Sequence, residues 1–256
     1  MERLNEQKPT RGLSSAALRT WGYLFLLLGV VARAVIQNGL LNLQGVSAQQ
    51  LMDALQGSDV MALATASLVM QALEACAVPI FAFLLVEGFF HTGNFAKYLG
   101  RVALVALVSE IPYDLAMEGS FFVPDSQNPV FALVLGLILL WFFRYYGGKS
   151  PKNVLINIVV TLAAVLWCGM LRIEHGAFTI LLIAAAWFTH GKPMRTLICA
   201  VASALGVAFS MLYLTAPISV LAIHYYNEEK GESSRVFNML CYPVMLLAAY
   251  FATFMI

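Results

Sequence analysis

The sequence predicts an all-α, polytopic integral membrane helix bundle of about nine transmembrane helices with its N-terminus in the cytoplasm. Three observations predict it. The chain is 61% hydrophobic and only 11% charged, with a mean hydropathy of +0.79, far above the balance of a soluble domain. Nine apolar runs fill most of the 256 residues. The Lys and Arg residues gather in alternate loops between those runs, as the positive-inside rule requires. A soluble globular enzyme is excluded, and the 15 basic and 14 acidic side chains cannot supply the strongly basic face that a nucleic-acid partner needs. The partner the composition demands is the lipid bilayer.

Residues 1–17 read as a polar cytoplasmic tail, with Glu2, Arg3, Glu6, Lys8 and Arg11 and no small-residue cleavage site beyond the first apolar run. Residues 18–256 read as one membrane domain, without an internal repeat, low-complexity tract or linker. Its apolar runs fall at about 18–36, 60–90, 98–115, 129–146, 154–171, 177–189, 196–213, 215–226 and 236–256. Each must satisfy its own backbone amides in lipid, which makes it helical. The second run is too long for one simple crossing and contains Glu74 and Pro79, so it is expected to begin as an oblique or broken helix. The sixth and eighth are short. Only Thr215 and Pro217 divide the seventh from the eighth, and a single kinked span competes there. With the N-terminus inside and nine crossings, 13 of the 15 basic residues fall on the cytoplasmic side.

Ionisable groups inside the hydrocarbon region are expensive, and each is a candidate for function. They are few. Arg33 and Glu74 can form a buried pair, either a structural clamp or a reactive centre. Glu110 and Asp114 can bind a cation or an amine, or can simply mark a solvated helix end. Glu87 and His91 are four residues apart, so on a continuing helix they share a face and the carboxylate can orient a base. His175 and His190 are expected in a loop and at a solvated interface, and His224 among interfacial tyrosines. Cys76, Cys168, Cys199 and Cys241 sit in apolar runs without metal-ligand spacing. None of the nucleophile-elbow, P-loop, dinucleotide or zincin signatures is present.

The stretch from Pro79 through Phe83, Glu87, Gly88, His91 and Asn94, followed by Lys97, Tyr98, Arg101 and then Ser109-Glu110-Ile111-Pro112-Tyr113-Asp114, closely resembles the TraX family. Gln127-Asn128, Tyr226-Asn227 and Tyr242-Pro243 continue the likeness in order. The resemblance implies a multi-pass protein of the bacterial cytoplasmic membrane, from a family named for conjugal transfer whose founding activity is N-terminal acetylation of pilin. It is also similar to the wider class of transmembrane acyltransferases. It implies acetyl-CoA as acyl donor and a pilin-like protein amine or a small-molecule amine or hydroxyl as acceptor. His91 and Glu87 are the catalytic candidates it leaves, with Lys97, Arg101 and Asn94 as candidates for holding the donor. Where the family pattern has an Asp-His pair this chain has Ala32-Arg33, and Val244-Met245 follow Tyr242-Pro243 where a His is expected. A catalytically degenerate membrane scaffold and a small-solute transporter using Glu74, Glu87 and Arg33 are the rival readings.

Overall fold

The computed structural model of the chain describes residues 12–43, 57–148 and 150–255. Most of the polar tail, with Arg3, Lys8 and Arg11, lies outside the described residues. Among those that are described, ten α-helices make up nine helical stretches that follow the nine apolar runs, the second stretch being divided in two.

Helix α1 (Ser15–Val30) starts where the Ser14 side chain accepts the Ala17 amide at 3.3 Å, an N-cap worth about 1 kcal/mol. From Val31 to Leu40 the chain continues as a π-helix, carrying Arg33. Such widened turns are rare and usually short. Helices α2 (Ser58–Glu74) and α3 (Ala77–Phe90) divide the long second run, as the sequence led us to expect. Pro79 has no amide proton, and its ring would collide with the carbonyl four residues back, that of Ala75. The helix opens there, with Cys76 N bonding Leu73 O at 3.1 Å and Val78 N bonding Ala75 O at 3.4 Å. The break leaves Glu74 at the end of α2, in the interior of the molecule.

Asn94 caps α4 (Phe95–Glu118) by accepting from Lys97 N at 2.9 Å, and Gly119 closes it with φ +67°, a left-handed conformation that suits glycine. Helix α5 (Val130–Tyr145) is followed by α6 (Pro151–Met170), which has Ser150 as its cap and proline at its first position. Helix α7 (Gly176–Thr189) precedes a helical hairpin. One arm is α8 (Arg195–Ala204) with its extension Leu205–Ala208; the other is the short turn Met211–Thr215 leading to α9 (Ile218–His224). Two expectations are corrected here. The arms turn at Phe209 and Ser210 rather than at Thr215 and Pro217. Each arm also rises only about 21 Å, short of the ~30 Å hydrocarbon core, and the arm ends meet where His224 Nδ1 lies 3.4 Å from Thr196 Oγ1. Helix α10 (Arg235–Thr253), capped by Ser234, lies along α4 and the π-helix.

Helix α3 is the axis of the bundle. Eleven of its 14 residues are buried, and it touches α1, α5, α7 and α9. Outward-facing positions are apolar: Leu107 on α4 is 64% exposed, and Leu155 and Leu166 on α6 are 61% and 67% exposed. An apolar exterior of that extent suits lipid and not water. Four helical stretches, Ser15–Leu40, Ser58–Phe90, Pro151–Met170 and Arg235–Thr253, are long and apolar enough to cross a membrane by length and composition.

The two ends of the bundle carry opposite charge. At one end Arg195 and Arg144 meet the last turns of α3, and Arg19, Arg101 and Arg235 surround a common cavity at the starts of α1, α4 and α10. At the other end Glu174, Asp114, Glu118 and Asp125 outnumber Arg33 and Arg172.

Candidate functional site

The buried charges of the acidic end converge on Arg33. Its Nη2 donates to Glu74 Oε1 at 2.9 Å, and its Nη1 donates to Glu174 Oε1. Glu174 also accepts from the Tyr113 hydroxyl at 2.9 Å. The pair with Glu74 is the clamp foreseen from the sequence; Glu174 makes it a triad. Glu74 fits because residue 29 is glycine: a Cβ there would overlap its carboxyl group. Burial alone would raise the Glu174 carboxyl, but the Arg33 guanidinium and His175 beside it hold it below the usual carboxylate range.

Glu174 and His175 sit in the short link between α6 and α7, which is held by backbone bonds from Gln127 N to Arg172 O at 3.2 Å and from Glu174 N to Gln127 O at 3.0 Å. His175 adopts φ +55°, uncommon for a residue other than glycine. That conformation turns its ring inward, where Nδ1 lies 2.5 Å from the Tyr213 hydroxyl. Its Nε2 is buried and has no hydrogen-bond partner, with Glu174 Oε1 3.7 Å away. An unpartnered buried nitrogen costs free energy unless something else uses it.

His175 and Thr179 border a cavity of about 310 Å³. Its walls are apolar, with Leu26, Val78, Phe81, Leu85, Val105 and Leu133 among them. Its opposite end is polar: Arg19, Arg101, Arg235 and Asn238 surround the mouth, with the Tyr98 ring beside them. Over the seven residues from Arg19 to Leu26, α1 advances about 10 Å along this wall. The cavity therefore joins the basic helix ends to an imidazole.

Of the residues singled out from sequence, Arg101 lines this cavity, while Lys97 and Asn94 belong to the same end of α4 but are not among its walls. His91 lies just past α3 with its side chain 66% exposed; its Nδ1 bonds the Glu87 backbone oxygen at 2.8 Å and is 3.9 Å from the Glu87 carboxylate. The Glu87 carboxylate itself meets the Arg195 guanidinium at 2.6 Å and His190 Nε2 at 3.4 Å. The shared face of Glu87 and His91 is real, but the carboxylate is held by Arg195, which also covers the Phe83 ring at 4.3 Å. His190 is not simply solvated as expected: it stacks on Phe90 with ring centres 3.8 Å apart. Arg33 and Glu74 stand apart from the Glu87 group, and Met245 packs near Tyr113 and Tyr242. Asp114 is buried and accepts from Val123 N at 2.9 Å, while Glu110 accepts from Asn128. The solvated-end reading is therefore corrected for Asp114, while Glu110 is half-buried.

Sequence reasoning placed His175 in a loop, named Tyr113 only among the residues of the family resemblance, and gave Glu174 and Tyr213 no role. The available signal was the density of polar groups in Arg172-Ile173-Glu174-His175-Gly176, between two apolar runs and too short to leave the membrane region far behind.

Comparison with known proteins supplies the lineage. The probable fimbrial assembly protein FimC, serogroup H1, of Dichelobacter nodosus is 26% identical over 191 residues, covering 65% of this chain and 75% of that protein. No solved structure matches. The family described as TraX protein matches residues 49–252, from α2 through nearly all of α10, with Glu74, Glu87, Glu174 and Arg195 inside the match and Arg33 before it. The chain belongs to the TraX family.

Proposed function

We propose that this protein is a membrane-embedded acyltransferase that moves an acetyl group from acetyl-CoA to an amine or hydroxyl acceptor, with His175 as the proton-transferring group. The observation that carries the reading is the cavity running from three arginines to an imidazole whose Nε2 is unpartnered. Arg19, Arg101 and Arg235 provide cationic donors for the phosphates of the donor substrate. The apolar wall suits its less polar arm and excludes water from the thioester. The basic end faces the cytoplasm, where the positive-inside rule puts it and where acetyl-CoA is available.

In the reaction, the acceptor amine attacks the thioester carbonyl carbon, the C–N bond forms, and the C–S bond breaks. The proton lost by nitrogen passes to His175 Nε2 and then to the departing thiolate, leaving an amide and a free thiol. With Nδ1–H donating to the Tyr213 oxygen, Nε2 has the lone pair that this step needs. Glu174, 3.7 Å from Nε2, stabilises the imidazolium that forms. His91, half outside the fold and bonded to backbone, and Glu87, held by Arg195, are less suited to this step. Family membership and the fimbrial name of the Dichelobacter relative favour an acceptor connected with pilus assembly.

The test is acetyl transfer by the purified protein from radiolabelled acetyl-CoA to amine acceptors. His175→Gln is expected to lower transfer about 10²- to 10⁴-fold while retaining acetyl-CoA binding. Absence of any acyl-CoA binding by calorimetry would reject the enzyme in favour of a scaffold, and full activity in His175→Gln with loss in His91→Ala would move the site to the other end of the bundle.

A further inference from the structure

The break between α2 and α3 deprives one backbone carbonyl of its helical partner. In a continuous helix Cys76 N would donate to Ala72 O. Here it bonds Leu73 O at 3.1 Å, because Pro79 opens the turn. The Thr215 hydroxyl, from the second arm of the hairpin, donates to Ala72 O instead. The exchange runs both ways, since the Cys76 thiol donates to Thr215 O at 3.2 Å. Within its own turn Thr215 Oγ1 also lies 3.4 Å from Leu212 O.

What this tie holds is a short turn, Met211–Thr215. Its outward side chains Met211 and Leu214 are exposed, while Tyr213 is buried against the Phe178 ring with ring centres 4.3 Å apart. Ring packing limits the tilt of Tyr213 but tolerates sliding; a hydrogen bond from imidazole to hydroxyl does not. Among the described residues, the hydrogen bonds that leave this turn for other helices are those of Thr215 with Ala72 and Cys76 and that of Tyr213 with His175 Nδ1.

The break thus supports both members of the link between α6 and α7. Glu74 reaches Glu174 through Arg33. Ala72 and Cys76 reach His175 through Thr215 and Tyr213. Two chains of contacts that start between Ala72 and Cys76 therefore end on a carboxylate and an imidazole that are neighbours in sequence.

We infer that Thr215, locked to Cys76, is a positioning residue for the His175 imidazole: through Tyr213 it sets the place of the ring and keeps the proton on Nδ1, so that Nε2 has its lone pair free. The consequence for catalysis rests on the acyl-transfer reading, while the control of the imidazole does not. Thr215 touches neither cavity wall nor His175. Its effect on rate comes from the cost of misplacing a proton-transferring group by about 1 Å.

The proton can be followed without any activity, by long-range nitrogen–proton NMR of protein labelled with [15N]histidine and assigned with His175→Gln. The parent is expected to show His175 protonated on Nδ1 when neutral, and Tyr213→Phe to show a mixture of both tautomers. Thr215→Val, which keeps the shape and loses the hydroxyl, should give the same mixture, and Thr215→Ser should restore the parent signal. An unchanged tautomer in Thr215→Val would overturn the inference. Should Thr215→Val fail to fold, Cys76→Ala removes the other half of the tie, and an unchanged tautomer there is equally decisive. In the transfer assay Thr215→Val is expected to lower kcat about two- to fivefold with KM for acetyl-CoA unchanged, and to cause no further loss when added to Tyr213→Phe. Losses that multiply in the double variant would show that Thr215 acts on folding alone and not through Tyr213. If the parent transfers no acetyl group while Thr215→Val still moves the His175 proton, the acyl-transfer reading has failed and the positioning role has not.

Discussion

Arg33 and Glu174, 141 positions apart in the chain, are joined in the interior by a direct hydrogen bond from Nη1 to Oε1, and the same guanidinium holds Glu74 at 2.9 Å. The contact ties the π-helix to the break between α2 and α3 and to the link between α6 and α7. Three segments of the interior therefore depend on one side chain.

Removing that side chain leaves the buried carboxylate of Glu74 and the partly buried one of Glu174 uncompensated. Arg33→Met is expected to destabilise the protein by about 3–5 kcal/mol, seen as a large fall in thermal midpoint in detergent. Arg33→Met combined with Glu74→Gln and Glu174→Gln should recover a substantial part, because no buried charge then lacks a partner. A triple variant no more stable than Arg33→Met would show that packing, not charge, dominates here.

Gly29 provides a steric test of the same centre. A methyl group there would overlap the Glu74 carboxyl, and overpacking of this kind costs about 1–3 kcal/mol. Gly29→Ala should lower the thermal midpoint, and Gly29→Ala with Glu74→Ala should restore room while losing the ion pair. If Gly29→Ala unfolds at the parent temperature, Glu74 is not held against α1.

Tyr213 orients His175 without facing the acceptor. Tyr213→Phe removes the partner of Nδ1 at 2.5 Å, and the expected loss in kcat/KM is about five- to tenfold, the equivalent of one ordinary hydrogen bond of about 1 kcal/mol. KM for acetyl-CoA should not change. A changed KM with unchanged kcat would place Tyr213 in binding instead.

The three arginines at the mouth of the apolar cavity should act on donor affinity alone. Arg19→Gln, Arg101→Gln and Arg235→Gln are each expected to weaken acetyl-CoA binding by roughly tenfold, given about 1.5–3 kcal/mol for a hydrogen bond to a charged group and partial screening at an exposed site. The loss should shrink as salt rises. Arg144→Gln, beside Phe89 and away from the cavity walls, is the control. Equal effects from all four would show a general surface potential.

Much of the fold was readable because it is written in local periodicity and in the cost of polar groups in lipid. The nine apolar runs became nine helical stretches, and the interruption caused by Pro79 fell where its missing amide and its ring require. The Arg33–Glu74 pair followed from scarcity: two unlike charges in apolar surroundings seek each other. The π-helix was not legible, since Val31–Leu40 has the composition of an ordinary helix. The hairpin turn was misplaced because Thr215 and Pro217 look like a turn, whereas Phe209 and Ser210 do not. Glu87 and His91 shared the face their spacing assigned, but the Arg195 that holds Glu87 comes from 108 residues away, and no local pattern announces it.

By itself the sequence determined the all-helical class, the number of helical stretches, the segregation of basic charge and the family, all of which depend on composition and on spacing within single segments. Tertiary structure alone decided which charges meet. It brought Glu174 to Arg33, set Tyr213 against His175, and left one imidazole nitrogen unpartnered beside an apolar cavity. The reason is physical: a buried charge is stabilised by whichever partner packing delivers, and packing between helices is settled by side-chain shape across the whole bundle rather than by the sequence around the charge.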